Sequence, residues 1–198
     1  MRIGVLADTH IPDRTDELPL ELGDIFEGVG LILHAGDVCV RSVLEQLQTI
    51  APVVAVLGNR DKDSLGNLPE QTVVEAGGWR IGIIHGMRTR WQETPDRLRY
   101  VQGDHRFMDQ RQYVRQRFAG DAPHCIVFGH THQVCNEIQD GVLLFNSGGV
   151  VPSPGGGPSS VGILETSKDG ITGQIIYLSY PPRRIALAEE LRRSWRKT

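Results

Sequence analysis

The sequence predicts an α/β protein, and three observations support this fold class. In the first half, short apolar runs alternate with segments whose apolar residues have helical spacing. In the second half, apolar runs separated by glycine-containing turns predominate. Carboxylates, imidazoles and an amide follow the ends of the apolar runs, where α/β proteins place their functional sites.

The first half has the predicted order strand, helix, strand, helix, strand. The strands are predicted at 2–7, 30–34 and 53–57, and the helices at 19–26 and 42–50. Ser42 is the predicted N-cap of the second helix, in which apolar residues recur with helical spacing. This order favours a largely parallel sheet with helices on its faces.

The second half predicts a further, more antiparallel sheet. Its strands are predicted at 72–75, 80–85, 126–128, 134–138, 142–145, 161–165 and 171–178. Gly77-Gly78 and Asp140-Gly141 have the composition of tight hairpin turns. The segment 148–160 is rich in glycine and proline and is predicted to be a loop, because strands resume after it.

Residues 86–120 form a predicted basic helical insert, with eight arginines and four acidic residues. Because the insert follows one candidate site strand and precedes another, we expect it to lie beside the site or cover it. Its arginines and aromatic residues could bind an anionic, nucleotide-like substrate. A solvated helix face with its aromatic residues turned to the core is the favoured interpretation. The segment 183–198 predicts an amphipathic basic helix or a frayed tail.

Composition excludes several classes of protein. The 198 residues suffice for one sizeable core, so we expect a single domain over 1–198. A net charge of −3 makes a nucleic-acid partner an unfavoured expectation. The three cysteines, Cys39, Cys125 and Cys135, are too few and too widely spaced for a disulfide framework or a thiolate zinc site. With neither a signal peptide nor an apolar run of ~20 residues, a cytoplasmic protein without a membrane span is expected.

Polar side chains at strand ends form the strongest functional signal. They are Asp8, His10, Asp37, Asn59, Asp61, His85, His130 and His132. Each short motif alone is compatible with an ordinary surface turn, but their joint occurrence at successive strand ends favours a common site. Mixed oxygen and nitrogen donors suit Mn, Fe, Zn or Ni, and there are enough of them for two divalent ions.

The set D-x-H, G-D, G-N-x-D, H and G-H-T-H resembles the calcineurin-like metallophosphoesterase superfamily. The opening ADTHIPDR is similar to the small bacterial and archaeal phosphodiesterase branch, which also contains the retromer scaffold subunit. The resemblance extends from residue 1 to about residue 180. It implies a four-layer αββα sandwich, in which two mixed β-sheets pack face to face with helices outside.

The resemblance also implies a ligand set for two divalent ions, with Mn favoured. One ion would be held by Asp8, His10, Asp37 and His132, and the other by Asp37, Asn59, His85 and His130, so that Asp37 bridges them. A hydroxide between the two ions would attack the phosphorus of a small phosphodiester. Asp37, Asn59, Arg60 and Asp61 are the implied catalytic residues, and Arg60 and Gly148 the implied substrate contacts.

The chain departs from the pattern of many relatives at three places. Arg60 replaces a histidine that is thought to protonate the leaving group; arginine cannot do so near neutral pH but binds phosphate oxygens well. A side chain of Arg60 that points to solvent is an equally weighted alternative. Met87 stands where relatives often have a second histidine, and Asn146-Ser147-Gly148-Gly149 replaces N-P-G-S.

Three other functions stay open at this stage. A protein-interaction scaffold with a retained metal site is the main alternative, and a phosphomonoesterase or a nuclease is another. Complete ligand positions favour the enzyme over the scaffold. A homodimer is common among relatives, but no interface pattern is evident in the sequence.

Overall fold

The computed structural model describes residues 1–61, 65–88, 110–152 and 157–179. Residues 89–109 of the predicted basic insert and the predicted C-terminal segment 183–198 lie outside the described residues. Within the described ranges, no helix combines the length and the apolar character needed to cross a bilayer.

The described residues form ten strands and three helices. In chain order these are β1 (Arg2–Leu6), α1 (Leu22–Ile25), β2 (Leu31–His34), α2 (Arg41–Gln48), β3 (Val53–Ala55), β4 (Gln71–Ala76), β5 (Trp79–Ile84), α3 (Gln110–Arg117), β6 (Cys125–Phe128), β7 (Val134–Gln139), β8 (Val142–Ser147), β9 (Ser160–Thr166) and β10 (Ile171–Tyr177). Every strand predicted from the sequence is present, with ends that differ by one or two residues.

Both sheets are mixed. The first has the order β10-β9-β1-β2-β3 and the second β4-β5-β6-β8-β7. Each contains two parallel and two antiparallel pairs. The expectation of a largely parallel first sheet and a more antiparallel second one is therefore wrong. The reason is that the hairpin β9–β10, from the end of the chain, pairs with the free side of β1 in the first sheet.

Three hydrophobic clusters define four layers. Between the sheets, residues such as Ile3 and Val5 of β1 pack against Ile81 and Ile83 of β5. On the outer face of the first sheet, Leu6 and its neighbours contact helices α1 and α2. The outer face of the second sheet packs against helix α3. The αββα sandwich of two mixed sheets implied by the resemblance is confirmed.

Helix α2 begins one residue earlier than the sequence indicated. Its N-cap is Val40, in an extended conformation, and no side chain caps the helix. The prediction of Ser42 as the N-cap is therefore wrong, because this residue lies inside the first turn. Val43, Leu44 and Leu47 are buried, as the helical spacing predicted.

Two tight turns have the geometry that their composition predicted. Gly77 and Gly78 have φ angles of 58° and 85° and connect β4 to β5. Asp140 and Gly141 have φ angles of 48° and 79° and connect β7 to β8. Two successive positive φ angles are typical of the type I′ hairpin turn, whose twist matches the flanking strands.

The described part of the basic insert packs against the second sheet. Val114 and Phe118 of this segment are buried against the outer face of the sheet. Arg111 and Arg115 form ion pairs of 2.7 Å with Glu137 and Asp140. The favoured interpretation of a solvated basic face over a buried apolar face is confirmed for residues 110–118, and residues 89–109 lie outside the described ranges.

The aromatic ring of Phe145 fixes the spacing of the two sheets. Phe145 is fully buried in the cluster between them. A Cβ atom added to Gly162 of β9 would lie 2.5 Å from Cε1 of this ring, and one added to Gly173 of β10 would contact its other edge. The ring of one sheet therefore occupies the space that two glycines leave in the other.

We expect Gly162→Ala to lower the free energy of unfolding by about 1–3 kcal/mol, because the added methyl group forces the sheets apart or displaces Phe145. Chemical denaturation monitored by circular dichroism measures the change. The matched control is Gly23→Ala in α1, where an added Cβ meets no atom within 4 Å, so stability should hold or rise slightly. Equal stability of both variants would contradict the proposed packing constraint.

Candidate metal centre

The ends of five strands bring all seven predicted metal-ligand residues into one cluster. Asp8 and His10 follow β1, Asp37 follows β2, Asn59 follows β3, His85 follows β5, and His130 and His132 follow β6. The first three strands belong to one sheet and the last two to the other. The cluster therefore lies where the carboxyl ends of strands from both sheets meet.

The first donor group consists of Asp8, His10, His132 and one oxygen of Asp37. The Nε2 atoms of His10 and His132 lie 3.4 Å apart, and their rings are stacked. Oδ1 of Asp8 lies 3.8 Å from Nε2 of His10 and 3.6 Å from Nε2 of His132. Oδ2 of Asp37 lies 3.5 Å from Nε2 of His10.

The second donor group consists of Asn59, His85, His130 and the other oxygen of Asp37. Oδ1 of Asp37 lies 3.5 Å from Nε2 of His85. Oδ1 of Asn59 lies 3.0 Å from both Nε2 of His85 and Nδ1 of His130. The two carboxylate oxygens of Asp37 thus face different donor groups.

Backbone carbonyls orient two of the imidazoles. Nδ1 of His85 lies 2.7 Å from the carbonyl oxygen of Ala35, and Nδ1 of His132 lies 2.8 Å from that of Val151. Each contact requires a proton on Nδ1. In the neutral imidazole, the lone pair is then on Nε2 and is directed at the cluster. Histidine ligands of metal ions usually have such a partner on the second nitrogen.

The donor set fits divalent cations. Oδ1 of Asp8 is buried and has no hydrogen-bond partner among the described residues. A buried carboxylate oxygen without a partner is costly unless a cation neutralises it. Asp8, His10 and His132, and likewise Asp8, Asp37 and His85, place ligand atoms within 4.8 Å of one another. Oxygen and imidazole donors at such spacing suit a borderline first-row ion.

Backbone strain is concentrated at the cluster. Among the described residues, eight non-glycine residues have positive φ angles, and five of these belong to the donor groups. They are Asp8 (56°), His10 (49°), Asp37 (56°), His130 (71°) and His132 (55°). A left-handed backbone conformation is unfavourable for residues with a Cβ atom, and it persists where the surrounding structure enforces it.

Hydrogen bonds between the loops enforce this conformation. The N–H groups of Asp8 and His10 donate to the carbonyl oxygens of Gly36 (3.0 Å) and Asp37 (3.1 Å). Across the two sheets, the N–H group of His130 donates to Oδ2 of Asp8 at 3.0 Å. These bonds connect the ends of β1, β2 and β6 directly to one another.

Burial and mutual charge shift the protonation of the cluster. Burial raises the pKa of Asp8 to about 7 and lowers that of His10 to about 3. Burial opposes the charged forms of Asp37 and His85 as well, but their mutual hydrogen bond and charges prevail. The pKa of Asp37 is lowered to about 2 and that of His85 is raised to about 9. Without a cation, His85 is therefore the positive partner of Asp37.

The side chain of Asp61 braces the loops that carry the cluster. Its Oδ2 accepts hydrogen bonds from the N–H groups of Asp37 (3.1 Å) and Gly58 (2.6 Å), and its Oδ1 accepts one from Cys39 (2.7 Å). Three backbone amides thus occupy this carboxylate. The geometry favours a positioning role for Asp61 over contact with a reacting group.

Two further predicted residues lie at the edge of the cluster. Arg60 has an exposed side chain, while its N–H group donates to Oδ1 of Asp37 at 2.7 Å. Gly148 is buried, and its N–H group is engaged by Oδ1 of Asn146 at 2.9 Å. The next residue, Gly149, approaches His132 so closely that an added Cβ would contact its ring. Substrate binding by Arg60 and Gly148 stays a prediction.

Sequence reasoning missed three residues close to the cluster. Gln110 and Asn146 donate to the carbonyl oxygen of Gly129, which precedes His130. Arg14 is half-buried, its N–H group donates to the carbonyl oxygen of His10 at 2.8 Å, and its positive charge lowers the pKa of Asp8 against the larger, raising effect of burial. Arg14 belongs to the ADTHIPDR stretch, where its distance of one turn from His10 was the available signal.

Comparison with protein families and curated proteins identifies similar sequences. The model of the calcineurin-like phosphoesterase superfamily domain matches residues 1–169. A probable metallophosphoesterase of Methanothermobacter thermautotrophicus is 38% identical over 153 residues, which cover 77% of this chain and 79% of that protein. A phosphodiesterase of Methanocaldococcus jannaschii is 26% identical over 185 residues, which cover 85% of this chain and 95% of that protein.

Comparison with solved structures shows the same fold in a protein of different description. Vps29 of Entamoeba histolytica superimposes with a TM-score of 0.68, covering 90% of this chain and all of the other (100%). Its sequence identity of 20% restricts this likeness to the fold.

We expect the affinity for a divalent ion to increase with pH between 6 and 8. His85, with a pKa of about 9, must lose its proton to present Nε2, and Asp8, with a pKa of about 7, must be ionised. One proton released per ion corresponds to about a tenfold gain in affinity per pH unit. Titration calorimetry with Mn²⁺ in buffers of different ionisation enthalpy measures the protons released. His124→Ala removes an exposed imidazole outside the cluster and should keep this dependence; a flat profile in the parent protein would refute it.

Proposed function

We propose that this chain, which belongs to the calcineurin-like phosphoesterase superfamily, is a divalent-metal-dependent phosphodiesterase that hydrolyses a small phosphodiester. The observation that carries the proposal is the position of Asp37, whose two carboxylate oxygens lie 3.5 Å from imidazole nitrogens of different donor groups. A carboxylate in this position is able to bridge two ions. The name of the phosphodiesterase relative supports the choice of a diester.

In this proposal, Asp8, His10, Asp37 and His132 hold one ion. Oδ1 of Asp8 has no hydrogen-bond partner among the described residues, and the Nε2 atoms of His10 and His132 face each other; both observations support the assignment. Both imidazoles are mostly uncharged, since burial lowers the pKa of each. Neutral imidazoles directed at a carboxylate oxygen are competent ligands for Mn, Fe, Zn or Ni, and we favour Mn.

Asp37, Asn59, His85 and His130 hold the other ion in this proposal. The amide oxygen of Asn59 is equidistant, at 3.0 Å, from a nitrogen of each of the two histidines. Asn59 is exposed, whereas Asp8, His10 and Asp37 are buried. We therefore expect a substrate phosphate to enter from the side of the site that carries Asn59.

Two divalent ions held by these residues would supply a water molecule activated as nucleophile and would neutralise charge on the phosphoryl oxygens, as is general for binuclear sites. Other residues of the chain hold the proposed ligands in place. Asp61 fixes the loop of Asp37 through three backbone N–H groups. We propose that Arg60 and Arg14 add positive charge at the rim, where it attracts the anionic substrate.

Arg60 also shapes the choice of leaving group. Its guanidinium does not release a proton near neutral pH, so it does not act as the general acid. We therefore propose that the enzyme prefers diesters whose leaving group is stable as an anion. Phosphomonoesters and nucleic acids are less favoured substrates than small diesters in this proposal.

A protein-interaction scaffold is the second candidate function, and the structural likeness to Vps29 favours it. The completeness of both donor groups supports the enzyme instead. The two functions differ in one measurable respect, because a scaffold with a retained site binds metal without hydrolysing any ester. We also retain a cytoplasmic location, one domain over residues 1–198 and a homodimer as parts of the proposal. Cys39, Cys125 and Cys135, all within the described ranges, form no disulfide with one another, which agrees with a reducing compartment.

We expect the Mn²⁺-loaded protein to hydrolyse bis(p-nitrophenyl) phosphate, and Asp37→Asn and His130→Ala to lower kcat/KM at least 100-fold, because each removes a proposed ligand. Release of nitrophenolate measures the rate. His124→Ala is the matched control, since His124 is exposed and precedes the strand β6 that His130 follows. Full activity after metal removal, or in both ligand variants, would disprove the mechanism. Two bound ions without activity toward diesters, monoesters or cyclic nucleotides would establish the scaffold instead.

We expect Arg60→Ala to raise KM for the diester about tenfold with a smaller effect on kcat, because the guanidinium binds the substrate phosphate. The backbone N–H of residue 60 still reaches Asp37 in this variant, so the site geometry is preserved. Steady-state kinetics separate the two parameters. Arg60→Lys should restore part of the loss, and Arg2→Ala, at an exposed arginine on β1, is the control. An unchanged KM in Arg60→Ala would show that the side chain points to solvent.

A further inference from the structure

We infer that Gln110, in helix α3, is a positioning residue that holds the histidine-bearing loops of the second sheet in their donor geometry. Its carboxamide makes three hydrogen bonds. Nε2 donates to the carbonyl oxygens of Gly129 at 2.9 Å and Gly86 at 3.3 Å. Oε1 accepts a hydrogen bond from the hydroxyl group of Thr131 at 3.2 Å.

Each of these three partners is adjacent in sequence to a proposed ligand. Gly86 directly follows His85, Gly129 directly precedes His130, and Thr131 separates His130 from His132. A single side chain thus holds the backbone beside three imidazoles. The two loops also bond directly to each other, since the N–H group of Gly129 donates to the carbonyl oxygen of His85 at 3.1 Å.

The loops need this support because their conformation is strained. His130 and His132 have φ angles of 71° and 55°, and Gly86 has one of 87°. A non-glycine residue in the left-handed region is strained and relaxes unless its surroundings hold it. At Gly86 an added Cβ would lie 2.9 Å from Nε2 of Gln110, so the helix also packs closely on this loop.

Helix α3 is itself firmly placed. Val114, one turn after Gln110, and Phe118, one turn further, are buried against the outer face of the second sheet. The carboxamide of Gln110 is therefore carried by a helix whose position is held by its packing against the sheet. Asn146 also donates to the carbonyl oxygen of Gly129 at 3.1 Å and to the hydroxyl oxygen of Thr131 at 3.4 Å. Two carboxamides therefore hold the loop of His130.

This arrangement makes a specific claim about the two donor groups. Gln110 contacts the loops of both His85 and His130, which belong to the second donor group. Of the first group, only His132 is adjacent in sequence to a hydrogen-bond partner of Gln110, namely Thr131. Asp8 and His10 are held by other hydrogen bonds, to Gly36 and Asp37. Loss of the carboxamide should therefore weaken the second donor group more than the first.

The test compares Gln110→Ala with Gln112→Ala, an exposed glutamine of the same helix. In the metal-free proteins, amide hydrogen exchange by NMR reports on the loops directly. We expect Gln110→Ala to accelerate exchange at Gly129 and His130 at least tenfold, with the amides of β1 and β2 and the Gln112→Ala variant unchanged. This readout requires neither bound metal nor catalysis, so it stands or falls separately from the proposed function.

The second measurement rests on the proposed function and uses Mn²⁺ alone as the probe. Calorimetry should show two binding events in the parent protein, and in Gln110→Ala one of them should be weakened 10–100-fold while the other is unchanged, as for other residues that orient metal ligands. Diester hydrolysis by the variant should recover at high Mn²⁺ concentration. If Gln110 had a purely structural role, Gln110→Ala would lower the thermal stability but would not weaken one Mn²⁺ binding event more than the other. Exchange and affinity equal to those of Gln112→Ala would overturn the inference, whereas absence of a second binding event in the parent protein would overturn only the binuclear proposal.

Discussion

The carboxylate of Asp37 is the group on which the rest of the site depends. Its two oxygens face the two donor groups: Oδ2 lies beside Nε2 of His10, and Oδ1 lies beside Nε2 of His85. Keeping a charged carboxylate in a partly closed site requires fixed partners. Hydrogen bonds of the backbone provide them. The N–H group of Arg60 donates to Oδ1 of Asp37, and the N–H group of Asp37 itself donates to Oδ2 of Asp61. The positive φ angle of Asp37 is maintained by these same bonds.

The sandwich architecture explains how donors distant in sequence meet. The first sheet supplies two carboxylates, an amide and one imidazole, and the second sheet supplies three imidazoles. The site therefore spans the junction of the sheets, and its dimensions depend on how closely the sheets pack. Phe145, inserted into the space beside Gly162 and Gly173, sets that spacing. Packing in the core and geometry at the site are consequently two results of one constraint.

Vps29 shares the architecture with this chain at low sequence identity, so the fold alone does not decide between catalysis and binding. A fully buried Asp8, with one oxygen lacking a hydrogen bond, destabilises a protein that has no use for it. Together with five strained backbone positions in the donor groups, it supports the proposal that this chain maintains a cation-binding site at the expense of stability.

The hairpin turns, most strands and the burial of α2 were predictable because each depends on residues near in sequence. The pairing of β9 with β1 was not, because an alternating apolar pattern shows that a strand has a buried face but not which strand lies beside it. Ser42 shows a similar limit: this residue is suited to cap a helix but lies two positions after the actual N-cap, Val40, since the register of α2 is decided by the burial of Val43, Leu44 and Leu47 against the sheet.

For the site, the sequence by itself determined which residues were candidates to gather, because carboxylates, an amide and imidazoles follow successive predicted strands and strand ends meet at one edge of a sheet. Only the tertiary structure decided that the two oxygens of Asp37 face different donor groups, that Asp61 holds backbone amides, and that Gln110 supports the histidine loops. The physical reason is that Asp61 and Gln110 act mainly on peptide N–H and C=O groups. Every residue carries such a carbonyl group and all but proline carry the N–H, so the sequence contains no mark of which ones a distant side chain will reach.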